Sequence, residues 1–405
     1  MKHWRVPYPK FGAGPGLARV SELARRLDLN LAAFGATGAV IVGSNGKGST
    51  AAMTASLLQQ AAAPIGLFTS PHLLALNERF RVDGEDIGDE DLSRHWDRVA
   101  SAINAYQRES GDVAGGFEFL FLIAADWFAA RGCAHTVWEA GIGGRLDPVR
   151  LIAARYVALT ALDFEHTALL GDTLEQIARE KTAVAPEGAM LFAPEQIAAQ
   201  GAIAAACAEQ RVALRLVAAH TSAPLPGEFQ RDNAGLAVAL ARSLAALDEG
   251  AVDAGLAATR WPGRLERIAG EPLVVIDVGH TPGAVTAALA GFEAMRGGRA
   301  SVLVCGVSAD KDVHAIAGAL APAFETVICA AACHKGAPAG AIAAAVSAAN
   351  STAEIIVAES VAEARRLALA RAGASGAVYV AGGLFLAAEF KAAHLGLDPP
   401  RLAFF

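Results

Sequence analysis

Cysteine is scarce in this 405-residue sequence, and the five cysteines present are odd in number and scattered through apolar runs. Cysteines in such settings behave as small hydrophobic residues, so no disulfide framework is expected. This pattern indicates a reducing compartment, and we expect the cytoplasm. The first ten residues contain an arginine and two prolines but no apolar core. We therefore expect no signal peptide.

Basic clusters are also missing. The formal net charge is −7 and no run of lysine and arginine forms a stripe that could follow a phosphate backbone, so nucleic acid is not expected as a partner. The uncharged stretch 336–353 contains Pro338, Asn350 and Ser351, which predicts a small-residue helix and not a membrane span. Hydrophobic residues make up 54% of the chain and charged residues 19%, which indicates folded cores throughout.

The length favours two domains. Residues 38–42 form an apolar, β-branched run that ends in a glycine-rich turn and is followed by the Ala- and Leu-rich residues 51–60, a strand–loop–helix pattern. Its repetition predicts doubly wound, mostly parallel sheets. Proline and glycine in residues 259–264 place the boundary near residue 260, giving domains 1–259 and 260–405. Further strands are predicted at 134–139, 156–162, 273–278, 301–305, 326–329, 355–357 and 377–380, and a helix at 173–183.

The turn after the first strand has the sequence Gly-Ser-Asn-Gly-Lys-Gly-Ser-Thr, residues 43–50. Its glycines allow backbone N–H groups and the following helix N-terminus to face phosphate oxygens, and Lys47 can neutralise the β- and γ-phosphates. The spacing is a variant, since two residues separate Gly43 from Gly46. A tight turn with a surface lysine is the simpler interpretation, but the strand–loop–helix context favours ATP binding. The expected contacts are Asn45, Gly46, Lys47, Gly48, Ser49 and Thr50.

This variant loop resembles that of folylpolyglutamate synthase and dihydrofolate synthase, members of the Mur ligase superfamily. Other segments resemble the family's motifs in the same order over nearly the whole chain. They are residues 69–73 (Thr-Ser-Pro-His-Leu), 78–80 (Glu-Arg-Phe), 117–119 (Phe-Glu-Phe), 138–147 (Trp-Glu-Ala-Gly-Ile-Gly-Gly-Arg-Leu-Asp), 163–167, 170–174, 177–181, 230–234, 261–266, 277–282 and 310–312.

The resemblance implies an α/β fold with an N-terminal P-loop ATPase-type doubly wound sheet and a smaller C-terminal Rossmann-like α/β domain. It implies an ATP-dependent amide ligase that adds L-glutamate to a pterin or folate carboxylate through an acyl phosphate, with ATP and Mg²⁺ as cofactors. The expected partners are small molecules, namely ATP, glutamate and dihydropteroate or a folate-like acid. A monomer is the family's usual state.

The resemblance also implies site residues. Ser70, Glu139 and His166 would supply magnesium ligands, and Lys181 would be carbamylated. Each also has a simpler interpretation. Ser70 would be a turn residue, Glu139 a strand-end carboxylate, His166 a loop histidine and Lys181 a solvated helix cation. Lys47, Lys181 and His280 would be catalytic. In the second domain Arg264 would contact phosphate oxygens and Asp277 the ribose or Arg264, while Asn233 of the first would hydrogen-bond adenine.

Other motifs keep two interpretations. His72, Glu78 and Arg79 either shape the site or form a loop ion pair. The charged residues 310–312 either bind the incoming amino acid or form a surface cluster. Cys329 and the pair Cys333-His334 suggest a metal site, but no second ligand pair lies nearby in the sequence, so ordinary thiols are expected.

The sequence departs from the family pattern on the acceptor side. Gly115-Gly116 stand where the family has threonine or serine, Asp147-Pro148-Val149-Arg150 where it has Asp-Ala-Thr-Asn, and His280-Thr281-Pro282 where it has His-Asn-Pro. A ligase acting on a non-folate acid is therefore the alternative. A P-loop kinase and a regulatory nucleotide-binding module are further hypotheses, but neither accounts for the second-domain residues 264, 277 and 280.

Overall fold

The computed structural model describes residues 4–404. The chain divides into two compact units. The first consists of the chain up to Pro224, Gln230–Arg260 and the residues from Ala403 on, and the second consists of Leu225–Phe229 and Trp261–Leu402. Each unit has its own mostly parallel sheet with helices packed on it, which confirms the predicted α/β class.

The first unit is built on an eight-stranded sheet with the order β4-β3-β2-β5-β1-β6-β7-β8. Strands β2, β5, β1, β6, β7 and β8 are parallel, and β3 and β4 add an antiparallel edge. The central β1 is buried over its whole length, as expected for a parallel strand covered on both faces. The strands are β1 Gly38–Val42, β2 Ile65–Phe68, β3 Phe80–Val82, β4 Glu85–Asp86, β5 His135–Glu139, β6 Tyr156–Leu159, β7 Met190–Pro194 and β8 Ala213–Val217.

Nine α-helices of the described residues accompany this sheet. The most apolar of them, α4, is buried along most of its length and packs its phenylalanines around Trp138 of β5. They are α1 Leu17–Arg26, α2 Lys47–Leu58, α3 Asp89–Ser110, α4 Gly116–Ala130, α5 Thr167–Leu170, α6 Leu174–Thr182, α7 Gln200–Glu209, α8 Gln230–Leu244 and α9 Glu249–Ala258.

The second unit has a six-stranded sheet with the order β13-β12-β11-β14-β10-β9, in which only β9 is antiparallel among its described strands. Its core includes Tyr379, whose ring stacks on Phe292 with centroids 4.4 Å apart. The strands are β9 Glu266–Gly270, β10 Leu273–Ile276, β11 Ser301–Cys305, β12 Thr326–Cys329, β13 Glu354–Val357 and β14 Ala377–Ala381. The helices are α10 Pro282–Arg296, α11 Val313–Leu320, α12 Ala339–Ala349, α13 Val361–Ala372 and α14 Leu384–His394.

The sheet order explains where the candidate site lies. The loops that leave the carboxyl ends of β2, β5, β1 and β6 are neighbours, because these parallel strands are adjacent in that order. Open α/β sheets bind ligands at such an edge. No helix in the described part of the chain combines the length and the apolarity needed to cross a membrane.

Candidate nucleotide and metal site

The glycine-rich loop leads directly into α2, which begins at Lys47. Gly46 precedes the helix with φ 85°, a left-handed conformation that favours glycine. Lys47 Nζ donates to the carbonyl oxygen of Gly43 at 2.8 Å, and the Thr160 hydroxyl donates to the carbonyl of Asn45 at 2.5 Å. These bonds hold the loop in a shape that leaves the N-terminus of a three-turn helix at its centre, a ready anion site.

Helix α8 braces the loop from behind. Asn233 Oδ1 accepts from the Thr50 hydroxyl at 3.3 Å, and its Nδ2 donates to Gln230 Oε1 at 2.8 Å. Gln230 Nε2 in turn donates to Ser49 Oγ at 3.4 Å. A Cβ at Gly46 would lie 2.4 Å from Asn233 Oδ1, so this approach requires glycine. Asn233 therefore supports the loop, and its adenine contact stays a prediction.

Ser70 follows β2 and Glu139 ends the adjacent parallel strand β5, and the two residues meet directly. The Ser70 N–H donates to Glu139 Oε2 at 3.0 Å, and Glu139 is 4% exposed. His166 lies at the same edge, after β6, and immediately precedes α5. No group of three or more His, Cys, Asp or Glu residues forms a metal site among residues 4–404. A hydroxyl and a carboxylate do suit Mg²⁺, which commonly completes its shell with phosphate oxygens and water, so the pair fits a partial site.

The loop between β2 and β3 is closed by its own charged residues. Glu78 accepts backbone hydrogen bonds from Leu73, Leu74 and Ala75 at 2.7–2.9 Å, which fixes the loop's turn. Arg79 is 1% exposed, and burial lowers its pKa to about 10 although Glu139 and Glu78 oppose the shift. This segment is therefore a buried, hydrogen-bonded loop next to Ser70 and not a surface ion pair.

His72 completes the loop. Arg79 Nε donates to His72 Nδ1 at 2.9 Å, and burial, followed by the charge of Arg79, lowers the pKa of His72 well below its ordinary value. Because the Arg79 guanidinium can only donate, Nδ1 of His72 is an acceptor and carries no proton, so the imidazole is neutral.

Lys181 and Glu165 form a buried ion pair. Lys181 Nζ donates to Glu165 Oε1 at 2.6 Å, and the two side chains are 1% and 7% exposed. Burial lowers the pKa of Lys181 and the charge of Glu165 opposes this, while Lys47 adds to it. Burial would raise the pKa of Glu165, but the charges of Lys47 and Lys181 bring it below its ordinary value. Lys47, Glu165 and Lys181 thus belong to one electrostatic cluster.

Asp147 organises the glycine-rich segment after β5. Its Oδ2 accepts from the N–H groups of Gly141 at 2.8 Å and Ile142 at 3.2 Å, and Oδ1 accepts from Val149 at 3.0 Å. Burial nevertheless raises the pKa of Asp147 to about 6, with the hydrogen bonds and Lys47 opposing it. The three hydrogen bonds to Asp147 hold this segment in place, and Lys47 of the phosphate loop is close enough to act on the Asp147 pKa.

The structure shows what surrounds the residues that depart from the family pattern and the neighbouring Phe117. A Cβ at Gly115 would lie 2.8 Å from the backbone nitrogen of Gly12, so glycine lets the N-terminal segment pack closely. Pro148 is buried at the start of a 3-10 turn, and Arg150 is exposed and donates to the carbonyl of Arg145 at 3.0 Å. Phe117 packs against Phe68 with ring centroids 5.7 Å apart.

In the second unit, Asp277 joins two loops. Its Oδ2 accepts from Leu265 N–H at 3.0 Å and its Oδ1 from Gly279 N–H at 2.7 Å. Burial raises the pKa of Asp277 while the charge of Arg264 opposes the rise. Arg264 and His280 are half-buried on these two loops. The three residues predicted for this unit thus form one local group.

Sequence reasoning missed several residues that support the site or the structure around it. Arg19 makes a paired hydrogen bond to Glu118 at 2.7 and 2.8 Å and another to Asp112 at 2.7 Å, which fixes the N-terminal segment on α4. Glu165 and Gln230 lie inside the family-like segments 163–167 and 230–234, but the sequence alone gives neither residue a role. Arg19 has no local signal, because its partners lie more than ninety residues away.

Comparison with known proteins agrees with this geometry. Residues 263–384 match the family model described as Mur ligase, glutamate ligase domain. Folylpolyglutamate synthase of Mycobacterium tuberculosis, solved with ADP and AMPPCP, has a TM-score of 0.87 and 26% identity, covering 95% of this chain and 96% of that one. The bifunctional folylpolyglutamate synthase/dihydrofolate synthase of Yersinia pestis, solved with AMPPNP and Mn, has a TM-score of 0.82 and 26% identity, covering 98% and 96%.

A curated relative in Halobacterium salinarum, a probable bifunctional folylpolyglutamate synthase/dihydropteroate synthase, is 33% identical over 384 residues, which are 87% of this chain and 46% of that protein. The chain spans about half the length of the first curated relatives it matches, at 46% and 45%. These similarities, the ordered motifs and the two-sheet architecture point to the same assignment. The chain belongs to the folylpolyglutamate synthase/dihydrofolate synthase family of the Mur ligase superfamily.

Proposed function

We propose that this protein is an ATP- and Mg²⁺-dependent ligase that joins L-glutamate to a pterin or folate carboxylate, forming dihydrofolate from dihydropteroate or extending folate glutamates. The observation that carries the proposal is the single sheet edge described above. It brings together a phosphate loop with Lys47, the buried pair Lys181–Glu165 and the pair Ser70–Glu139. A kinase needs the first of these features but gives no reason for a second unit that matches a glutamate ligase domain.

The reaction has two balanced steps. The acid's carboxylate oxygen attacks the γ-phosphorus, ADP leaves, and an acyl phosphate forms; the amine of glutamate then attacks the acyl carbon, and inorganic phosphate and a proton are released. Both steps concentrate negative charge, which Lys47 and the N-terminus of α2 are placed to neutralise. Magnesium held by Ser70 and Glu139, with His166 at the same edge, would add a cation for the phosphate oxygens.

We extend the proposal to carbamylation of Lys181. The uncharged amine is the form that reacts with carbon dioxide, and it gives a carbamate and a proton. Lys181 is 1% exposed, and its pKa lies below the ordinary value because of burial. The resulting anion would replace the ammonium group beside Glu165 and Lys47 and would end the ion pair with Glu165. The charge of Lys47 and a bound metal cation would then offset the two anions.

The second unit would contribute Arg264, Asp277 and His280. The family resemblance implies that Arg264 would contact phosphate oxygens and that His280 would act near the γ-phosphate, where a cationic group stabilises the transferring phosphoryl. Asp277 accepts backbone hydrogen bonds from both loops that carry them, so it holds the two residues in a fixed relation. Its contact with the ribose is part of the same proposal.

A second candidate is ligation of glutamate to an acid other than a folate. The observation that favours it is the remodelled segment after β5, where Pro148 is buried and the exposed Arg150 adds a positive charge. The change affects the acid and leaves the phosphate machinery as it is in the first candidate. We place either reaction in the cytoplasm, since the described cysteines are all free. We propose a monomer because that is the state the family resemblance implies.

Phosphate release distinguishes these functions. The purified protein is incubated with MgATP and glutamate, and dihydropteroate, tetrahydrofolate and unrelated carboxylic acids are added one at a time. We expect glutamate-dependent phosphate release and an amide product with at least one of the two pterins. Turnover only with another acid would select the second candidate. Phosphorylation of a hydroxyl without any need for an amine would exclude both and favour a kinase.

A further inference from the structure

The C-terminal residues Ala403 and Phe404 lie against the loop that carries Ser70. They belong to the first unit, although residues 261–402 build most of the second. His72 Nε2 lies 2.8 Å from the carbonyl oxygen of Ala403. The ring of Phe404 stacks on the imidazole of His72, with centroids 5.4 Å apart and an interplanar angle of 6°. The chain's last described residues therefore contact a motif that lies more than three hundred positions earlier.

Arg79 adds a second link between the loop and the C-terminal segment. Its Nε donates to His72 Nδ1 at 2.9 Å, and a terminal nitrogen donates to the carbonyl oxygen of Phe404 at 3.2 Å. Because Nδ1 accepts a hydrogen bond, the ring proton is on Nε2, which donates to Ala403. Arg79 is 1% exposed and His72 is 2% exposed. Buried polar groups require partners, and two backbone carbonyls of the C-terminal segment supply them.

The same loop reaches the candidate metal ligands. The Thr69 N–H donates to the carbonyl oxygen of Arg79 at 3.0 Å, and the next residue, Ser70, donates its N–H to Glu139 Oε2 at 3.0 Å. The guanidinium of Arg79 also interacts electrostatically with Glu139. A shift of Arg79 or His72 would therefore move Ser70 relative to Glu139.

We propose that the C-terminal segment Ala403–Phe404 is a positioning element of the candidate metal site, which acts through His72 and Arg79 to hold Ser70 against Glu139. The inference rests on the proposed function only in that Ser70 and Glu139 serve a metal-bound nucleotide. His72 and Arg79 are positioning residues, because their hydrogen bonds join the loop to the C-terminal segment and Arg79 also acts electrostatically on Glu139.

The first test measures metal binding without turnover. Mn²⁺ affinity in the presence of ADP is determined by electron paramagnetic resonance for the full chain, for a chain ending at Leu402 and for Phe404→Ala. Residues outside the immediate ligand set typically change metal affinity by about 10- to 100-fold. We expect the shortened chain to bind Mn²⁺ at least about tenfold more weakly, with Phe404→Ala between it and the full chain. Leu395→Ala, at an exposed position of the second unit, is the control and should match the full chain.

Hydrogen–deuterium exchange of residues 69–79 gives a second readout that needs no metal. Faster exchange of this loop in the shortened chain and in Phe404→Ala, with unchanged exchange in β1 and β5, supports a local positioning role. Exchange and Mn²⁺ affinity equal to those of the full chain in both variants would overturn it. If circular dichroism shows that the shortened chain does not fold, the Mn²⁺ affinity and the exchange of Phe404→Ala alone decide the inference.

Two substitutions at His72 separate its contacts. His72→Gln keeps a hydrogen-bond acceptor for Arg79 and a donor for Ala403, whereas His72→Phe keeps the stacking on Phe404 and loses both hydrogen bonds. We expect His72→Gln to retain most of the Mn²⁺ affinity and His72→Phe to lose it. The reverse order would contradict the inference. Failure of every acid to give turnover would reject the proposed function but would leave these binding and exchange results to decide this inference.

Discussion

Lys181 Nζ and Glu165 Oε1 lie 2.6 Å apart with both side chains buried, so each charge depends on the other. Lys47 acts on the pKa of both members, which couples the pair to the phosphate loop. An isolated helical lysine would be solvated. This lysine is instead fixed inside the cluster that the proposed ligation uses.

Lys181→Ala should therefore affect both activity and stability. We expect kcat/KM to fall by about 100-fold, the size of effect seen when one group that stabilises developing charge is removed. Leaving Glu165 buried without its partner should lower the free energy of unfolding by about 3 kcal/mol. Initial rates and urea unfolding provide the measurements.

The matched control is Arg179→Ala, which removes an exposed cation from the same helix and should cost less than about 1 kcal/mol. Partial recovery of Lys181→Ala activity by a short carboxylic acid would support the carbamate. Full activity of Lys181→Ala without any added acid would contradict its catalytic role.

Gly46→Ala should weaken nucleotide binding. The backbone at Gly46 has φ 85°, and an added Cβ would lie 2.4 Å from Asn233 Oδ1. Strain of this kind amounts to about 1–3 kcal/mol, so we expect at least about tenfold lower affinity for ADP by calorimetry. Gly132→Ala has a comparable left-handed φ of 61° but nothing within 4 Å of the new Cβ. It controls for backbone strain alone, and equal losses of affinity in the two variants would exclude a specific role for the loop.

Asp147 should make stability depend on pH in a defined window. Its pKa is about 6 in the folded chain because of burial. The unfolded value is about 3.9. The folded state therefore keeps a proton that the unfolded state has lost, so this stabilisation is full below about pH 4 and is lost as the pH rises through 6.

The measurement is the free energy of unfolding of wild type minus that of Asp147→Asn, from urea titrations between pH 4 and 8. We expect the difference to fall by up to about 1.4 kcal/mol per pH unit between pH 4 and 6 and to level off above 7. Asp253→Asn, at an exposed position on α9, is the control and should give a flat difference. A flat difference for Asp147→Asn as well would show that the carboxylate is not held protonated.

The parts of the fold that could be predicted from sequence are those with a local signal. The apolar runs at 38–42, 301–305 and 326–329 coincide with β1, β11 and β12 because strands buried on both faces are continuously apolar. Strand β8 was not predicted, since Ala213–Val217 contains an arginine and is only partly buried at the sheet edge. The short edge strands β3 and β4 have too few residues to show a period.

The site follows the same rule. The phosphate loop is contiguous, so its residues and their chemistry could be read directly. The Lys181–Glu165 pair joins positions 16 apart, and the contact of Arg79 with Phe404 joins positions 325 apart. Such contacts depend on how strands are ordered in the sheet, which periodicity does not specify. Whether His166, Asn233, Arg264 and His280 act as the family resemblance implies stays a prediction.

Glu389 should be a stability determinant of the second unit. It is 0% exposed on α14, and its carboxylate accepts from the N–H groups of Cys333 at 2.9 Å and His334 at 3.0 Å. Glu389→Leu would remove the acceptor of these two N–H groups and should lower the free energy of unfolding by about 3 kcal/mol, whereas Glu389→Gln should cost about 1 kcal/mol. Glu325→Leu is the exposed control. Equal stability of the two Glu389 variants would show that hydrogen bonding is not the reason for the buried carboxylate.

Arg150 should determine which acid is used. It is exposed, donates one hydrogen bond to the carbonyl of Arg145, and has no carboxylate partner among the described residues. An exposed guanidinium with unused N–H groups can bind a carboxylate or phosphate in a paired geometry. We therefore expect the preferred acid to carry a further anionic group that Arg150 binds.

Arg150→Asn, which restores the residue typical of the family, should raise the KM for that acid by about tenfold, the value of one charge-assisted hydrogen bond, and leave the KM for ATP unchanged. It should also reduce discrimination against acids that lack the extra charge, because no guanidinium is left at position 150 to bind that charge. Arg155→Asn removes an exposed arginine five positions further along the chain, just before β6, and is the matched control. If both substitutions change the KM for the acid equally, the effect is one of overall charge, and Arg150 does not select the substrate.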